Sequence, residues 1–96
     1  MATICIQYVD KTAHGHEHIT HLGSDVERFT RAEVIRRLER KAAPDIFFVS
    51  DGKGVVLIQV IDDRLRGKYV RTVADGRPTD NLLYLPPCPS GLRLVA

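Results

Sequence analysis

Residues 68–89 constrain the fold of this 96-residue chain more than any other stretch. Lys68 to Val73 reads as a strand, Asp75-Gly76-Arg77-Pro78 as a tight turn, and Pro86, Pro87 and Pro89 lock the far end. Proline fixes its own φ and has no N–H to give a ladder, so pairing stops where the prolines begin. The stretch before it repeats the same design. Ile46 to Val49, the Asp51-Gly52-Lys53-Gly54 turn and the apolar run Val55 to Ile61 form a hairpin pattern, and Asp62 to Gly67 makes the turn into Lys68. Leu82 to Leu85 is a candidate for a short last strand.

The first half is read by the same rules. Thr3 to Val9 is rich in β-branched and aromatic residues, the polar segment Asp10 to Gly15 turns it back, and Glu17 to Leu22 follows as a second strand. Gly23 to Arg28 reads as a loop. Thr30 then caps a helix, with Glu33 placed to reach back to the Thr30 N–H and with Phe29 and Val34 at the positions of a hydrophobic staple. Ile35, Leu38 and Ala42 continue at helical spacing until Pro44, which predicts a helix over 31–43. The order is β-β-α-β-β-β. Short turns join antiparallel neighbours, so the expected fold is α+β, a single antiparallel β-sheet with one amphipathic helix on one face, forming a single compact domain over 1–96. The run Val55 to Ile61 suggests burial on both sides, and one helix leaves a sheet face to cover, so a protein partner or a homodimer is expected there.

Composition excludes other classes. With 44% hydrophobic and 27% charged residues the chain has the makeup of a folded soluble domain. No apolar run approaches the roughly 20 residues that span a bilayer, and the start lacks the features of a secretory signal, so a cytoplasmic protein with no membrane association is expected. Cys5 and Cys88 are too few for a disulfide framework and are expected as thiols. A net charge of +2 does not demand a nucleic-acid partner.

The motif around the second turn resembles a known family. Tyr69, Arg71, Thr72, Asp75 and Gly76, followed by Asn81, Leu82, Leu83, Leu85 and Pro86, match the pattern Tyr-x-(Arg/Lys)-Thr-x-x-Asp-Gly and then Asn-Leu-Leu-x-Leu-Pro. That pattern is shared by the small bacterial and phage proteins grouped as domain of unknown function 3892. Ile19-Thr20-His21-Leu22-Gly23 is similar to a further element of that family, Ile-x-His-(Ile/Val)-Gly, with Ser24 where a second glycine often stands. The resemblance implies a compact α+β domain of unrecorded activity. It also implies an accessory protein of bacteria or mobile elements, such as an inhibitor or regulator acting by protein contact.

Two clusters carry candidate chemistry. All four histidines, His14, His16, His18 and His21, lie within eight residues, and on an extended segment His14, His16 and His18 project to one side, where imidazoles can chelate a transition metal. A polar turn at a hairpin tip, with His21 packed at the sheet edge, is the preferred reading, and no Cys-x-x-Cys accompanies them. The helix face carries Arg31, Arg36, Arg37, Arg40 and Lys41, a basic stripe able to contact phosphates, with Arg36, Arg37, Arg40 and Lys41 as its core; Arg64, Arg66, Lys68, Arg71 and Arg77 add charge later in the chain. The alternative is a solvated face laced with pairs such as Glu33 with Arg36 or Arg37.

No catalytic constellation is legible. Asp51-Gly52-Lys53-Gly54 is too short for a phosphate loop, Cys88 is hemmed by prolines, and the aspartates sit where turn chemistry accounts for them. The expectation is a non-enzymatic module without a cofactor, working through protein contact or self-association. Nucleic-acid binding by the basic face is the first alternative and metal binding by the histidines the second.

Overall fold

The computed structural model describes residues 1–96 and shows the opening strand serving two sheets. β1 (Thr3–Cys5) pairs in parallel with β5 (Ile46–Ser50), while β2 (Tyr8–Lys11) pairs antiparallel with β3 (Ile19–Gly23). Between them the Ile6 N–H donates to the Phe48 carbonyl and the Gln7 N–H to the Gly23 carbonyl, each at 2.8 Å. Successive N–H groups of an extended chain point to opposite edges, so two neighbouring residues suffice to pass from one sheet to the other.

The expected single antiparallel sheet is therefore corrected to two mixed sheets with nine strands and one helix. One has the order β1-β5-β6-β7-β8, with β6 (Val55–Asp63), β7 (Gly67–Ala74) and β8 (Arg77–Thr79) forming the foreseen antiparallel run. The other has the order β2-β3-β4-β9, where β4 (Glu27–Thr30) is antiparallel to β3 and β9 (Arg93–Val95) lies parallel to β4. Both parallel pairings join strands far apart in sequence, which patterns of neighbouring residues do not encode.

Three local readings change with it. The loop expected at 23–28 is shorter: the Ser24 hydroxyl accepts the Val26 and Glu27 N–H groups at 3.3 and 3.0 Å, and this turn sends the chain straight into β4. Leu82–Leu85 is no strand: Leu82 to Tyr84 belong to a 3-10 turn, Asn81–Tyr84, that Leu85 follows, and the adjacent Leu82 and Leu83 are both buried. Alternating side chains would have sent one of them to solvent.

The helix is the third. α1 spans Arg31–Leu38, short of the expected Ala43, because the chain must bring Asp45 back to the first strand. Asp45 is buried and accepts the Ala2 N–H at 2.8 Å, and Ala43 takes a left-handed φ of 50° before Pro44. Thr30 caps the helix, its hydroxyl accepting the Glu33 N–H at 3.2 Å. The Glu33 carboxylate does not reach back; Arg36 and Arg37 hold it at 2.7 Å.

One core joins these layers. Phe29, Leu22, Ile19 and Val9 from one sheet meet Phe47, Val49, Ile58 and Val70 from the other, with Val34 of α1 and Leu82 between them. Phe29 and Val34, the staple positions, are fully buried. β6 is not covered on both faces as its apolar run suggested: Val56 and Ile58 are buried, whereas Val55 and Leu57 are 63% and 45% exposed.

Candidate functional site

The residues of the Tyr69–Pro86 motif converge, and what they build is a strap. Asp75 and Gly76 take left-handed φ angles of 53° and 76°, as a two-residue hairpin turn requires between β7 and β8. Thr79 donates from its hydroxyl to Asn81 Oδ1 at 2.6 Å and accepts from the buried Thr72 hydroxyl, also at 2.6 Å. Arg71 donates to the Thr79 carbonyl and to Asp80 Oδ1, at 3.1 and 2.9 Å. These bonds hold the 3-10 turn that plugs Leu82 and Leu83 into the core, with Leu85 packed against it; Tyr69 is buried as well, on the other face of β7 opposite Ile61. The Pro86 carbonyl then accepts the Val9 N–H at 2.9 Å, and the Cys88 N–H donates to Asp10 Oδ1 at 3.0 Å. The proline-locked end thus lies along the free edge of β2.

His21 stands apart from this group, beside Arg28, which with Asp10, Cys88 and residues 89–92 lines a pocket of about 310 Å³. Arg71 and Asn81 are not among its lining. Arg28 donates through Nε and Nη2 to Asp10 Oδ2 at 2.9 and 2.8 Å, and its Nη2 also lies 3.2 Å from His21 Nδ1. The same Nδ1 is 2.9 Å from the Thr20 hydroxyl, so the imidazole edge is shared between Arg28 and Thr20. Burial, then the Arg28 charge, lowers the His21 pKa below its ordinary value. Burial alone would raise Asp10, but the Cys88 N–H and Arg28 outweigh it and hold the carboxyl low. Burial and Asp10 push the Cys88 thiol up, away from a nucleophilic thiolate. Gly23 lies beneath: a Cβ there would sit 3.0 Å from Cys88 Sγ and 3.2 Å from Leu92 Cδ1. Nothing in the sequence pairs Asp10 with Arg28; β3 lies between their strands.

The other histidines do not gather. His14 is exposed, His16 is 5% exposed within the 3-10 turn His16–His18, and His18 lies 3.6 Å from Glu17. No group of three or more His, Cys, Asp or Glu side chains is arranged to hold a metal ion. His16 Nε2 is buried without a hydrogen-bond partner, 3.9 Å from Asp80 Oδ1, and burial and Arg71 lower its pKa.

The basic residues are distributed differently from the expected stripe. Arg36 and Arg37 belong to α1 and both bind Glu33, with Arg37 also 5.1 Å above the Phe29 ring. Arg40 and Lys41 fall beyond the helix, Arg40 at 3.9 Å from Asp45. Lys68 meets Glu39 at 2.8 Å, so the end of α1 and the β6–β7 hairpin lie at one end of the molecule.

The outer face of the five-stranded sheet carries an apolar row, open at Val55 and Leu57 and buried at Tyr69. Strand register aligns Cys5, Phe48, Leu57, Val73 and Pro78 in one row across all five strands. Residues directly opposite share a face, so the row is continuous, and Ile46, Val55 and Ile61 share the parity of its strands. Cys5, Phe48 and Val73 are half-buried, Leu57 and Pro78 exposed. Polar neighbours border it, with Gln59 opposite Arg71 in the next row but one. Both cysteines are free.

A family model described as "Protein of unknown function (DUF3892)" matches residues 3–86. No curated protein and no solved structure matches the chain. The match runs through both sheets and ends at Pro86, where the strap reaches β2.

Proposed function

The chain belongs to the DUF3892 family, and from that premise we propose that it is a non-catalytic binding module acting by protein contact through the outer face of its five-stranded sheet. The observation that carries this is the row Cys5-Phe48-Leu57-Val73-Pro78, with Leu57 and the neighbouring Val55 open to solvent. Apolar surface gathered across a rigid sheet gains free energy when water leaves it, roughly 25 cal/mol per Å². What supports the non-catalytic reading is that the pocket's thiol is pushed up from its ordinary pKa and Asp10 is bound by Arg28 and the Cys88 N–H. Two free thiols suit a reducing compartment, and the cytoplasm is the location this reading carries. No helix is long and apolar enough to cross a membrane.

The test is a photo-crosslinking residue at position 57 in cells of the source organism, with position 84, 79% exposed, as the control. A protein adduct at 57 and none at 84 supports the reading. Equal labelling, or none at 57, sinks it.

A second reading, nucleic-acid binding, has one specific support. The Lys68–Glu39 contact brings Arg40 and Lys41 to the same end as Arg64 and Arg66, which flank the 96% exposed Leu65. Anisotropy of a labelled duplex across a salt series decides it, since phosphate contact weakens steeply with salt.

A further inference from the structure

We infer that the segment Leu85 to Ser90 is a preformed polyproline II ligand, and that its partner is a protein with an aromatic-lined groove that reads proline rings. This contact is separate from the sheet face and goes beyond the reading above.

The conformation follows from the sequence. Pro86, Pro87 and Pro89 hold their own φ at about −65°. Leu85 and Cys88 each precede a proline and are pushed to extended backbone. Leu85 has φ −76° and ψ 146°, against about −75° and +145° for polyproline II. A polyproline II helix repeats every three residues, and exposure along the segment repeats in the same way. Leu85 and Cys88 are half-buried, whereas Pro86 with Pro89 and Pro87 with Ser90 are exposed. One edge of this three-sided rod therefore lies on the fold, and two face solvent.

The anchoring leaves the rings free. The Pro86 carbonyl accepts the Val9 N–H, the Cys88 N–H donates to Asp10, and Leu85 packs against the core. None of these contacts uses a proline ring. The rod is thus ordered before any partner arrives, which removes much of the entropy loss on binding.

Chemistry selects the partner. Pro87 and Pro89 have no N–H, so an added strand cannot run a ladder along them. Their carbonyls accept no backbone N–H within the chain. No residue from Asn81 to Leu92 is charged, so the rod offers nothing to a phosphate or an acidic peptide. Ring faces and open carbonyls remain to be read. Flat aromatic side chains pack on the rings, while an indole N–H or phenol O–H donates to the carbonyls. Tyr84 belongs to the preceding 3-10 turn and lies outside the rod.

The test places a photo-crosslinking residue at exposed position 90 of the full chain, in lysate of the source organism. Synthetic oligoproline is the competitor, and a Gly-Ser peptide of equal length is its control. The expected result is a protein adduct that oligoproline suppresses and the Gly-Ser peptide does not. Pro87→Ala and Pro89→Ala should each weaken it about fivefold or more at unchanged circular dichroism. If one variant fails to fold, the other carries the test. No adduct at 90, an adduct that oligoproline leaves intact, or one that persists in the folded variants overturns the proposal, leaving the prolines only to end pairing at β2. An adduct at position 57 that oligoproline does not touch keeps the sheet face, whatever position 90 shows.

Discussion

Phe29 and Phe47 meet edge to face, their ring centroids 5.4 Å apart and their planes at 89°. Phe29 belongs to β4 and Phe47 to β5, so this contact joins the two sheets, and the Arg37 guanidinium closes over the Phe29 ring from α1. Three elements depend on one aromatic pair.

Truncation there is expected to be severe. Phe47→Ala removes a fully buried ring and should cost about 3–5 kcal/mol, with Phe47→Leu costing clearly less because it keeps most of the volume. Urea unfolding measures both. Equal costs for the two substitutions would show that the site collapses around any replacement.

Glu33 ties α1 to acid stability. Arg36 bonding, against the opposing effect of burial, and Arg37 hold its pKa at about 2, below the 4.5 of a free glutamate. The unfolded chain therefore binds this proton first, so the stabilisation is complete above pH 4.5 and is lost as pH falls toward 2. Glu33→Gln should lower stability by about 2 kcal/mol at pH 7, and the gap to wild type should close over that window. Denaturant midpoints at stepped pH test it; a constant gap rejects the assignment.

His16 and His21 act in the neighbouring range. Burial lowers both below the ordinary 6.5, so each resists a proton that the unfolded chain accepts. Their stabilisation is complete above pH 6.5 and is eroded as pH falls below it. NMR titration should give midpoints below 6.5 for both, and His21→Gln should flatten part of the stability loss between pH 6.5 and 5. A His21 midpoint at or above 6.5 would contradict the lowering by burial and by the Arg28 charge.

Gly23 and Cys88 should behave as a coupled pair. A methyl at 23 lands 3.0 Å from the Cys88 sulfur, so Gly23→Ala should destabilise, and Cys88→Ala should recover part of the loss. A double-mutant cycle measures the coupling, expected at about 0.5–2 kcal/mol; strict additivity would mean that Leu92 or Tyr8 sets the limit.

The family motif was legible in the sequence, and the structure supplies its reason. Asp75 and Gly76 read as a turn and are one, Thr30 reads as a cap and is one, and the run from Ile46 through Val73 forms three neighbouring antiparallel strands. Asn81, Leu82, Leu83 and Pro86 prove to be parts of a strap holding the core and the β2 edge.

Local chemistry determined these features by itself, because turns, caps and hairpins are set by residues within a few positions of one another. Tertiary structure alone decided the crossing at Ile6 and Gln7, the parallel pairings of β1 with β5 and β4 with β9, and the meeting of Asp10, Arg28 and Cys88. It also decided that one side of β6 stays open at Val55 and Leu57. Each depends on which distant segments bury each other's surface, and no short window of sequence carries that information.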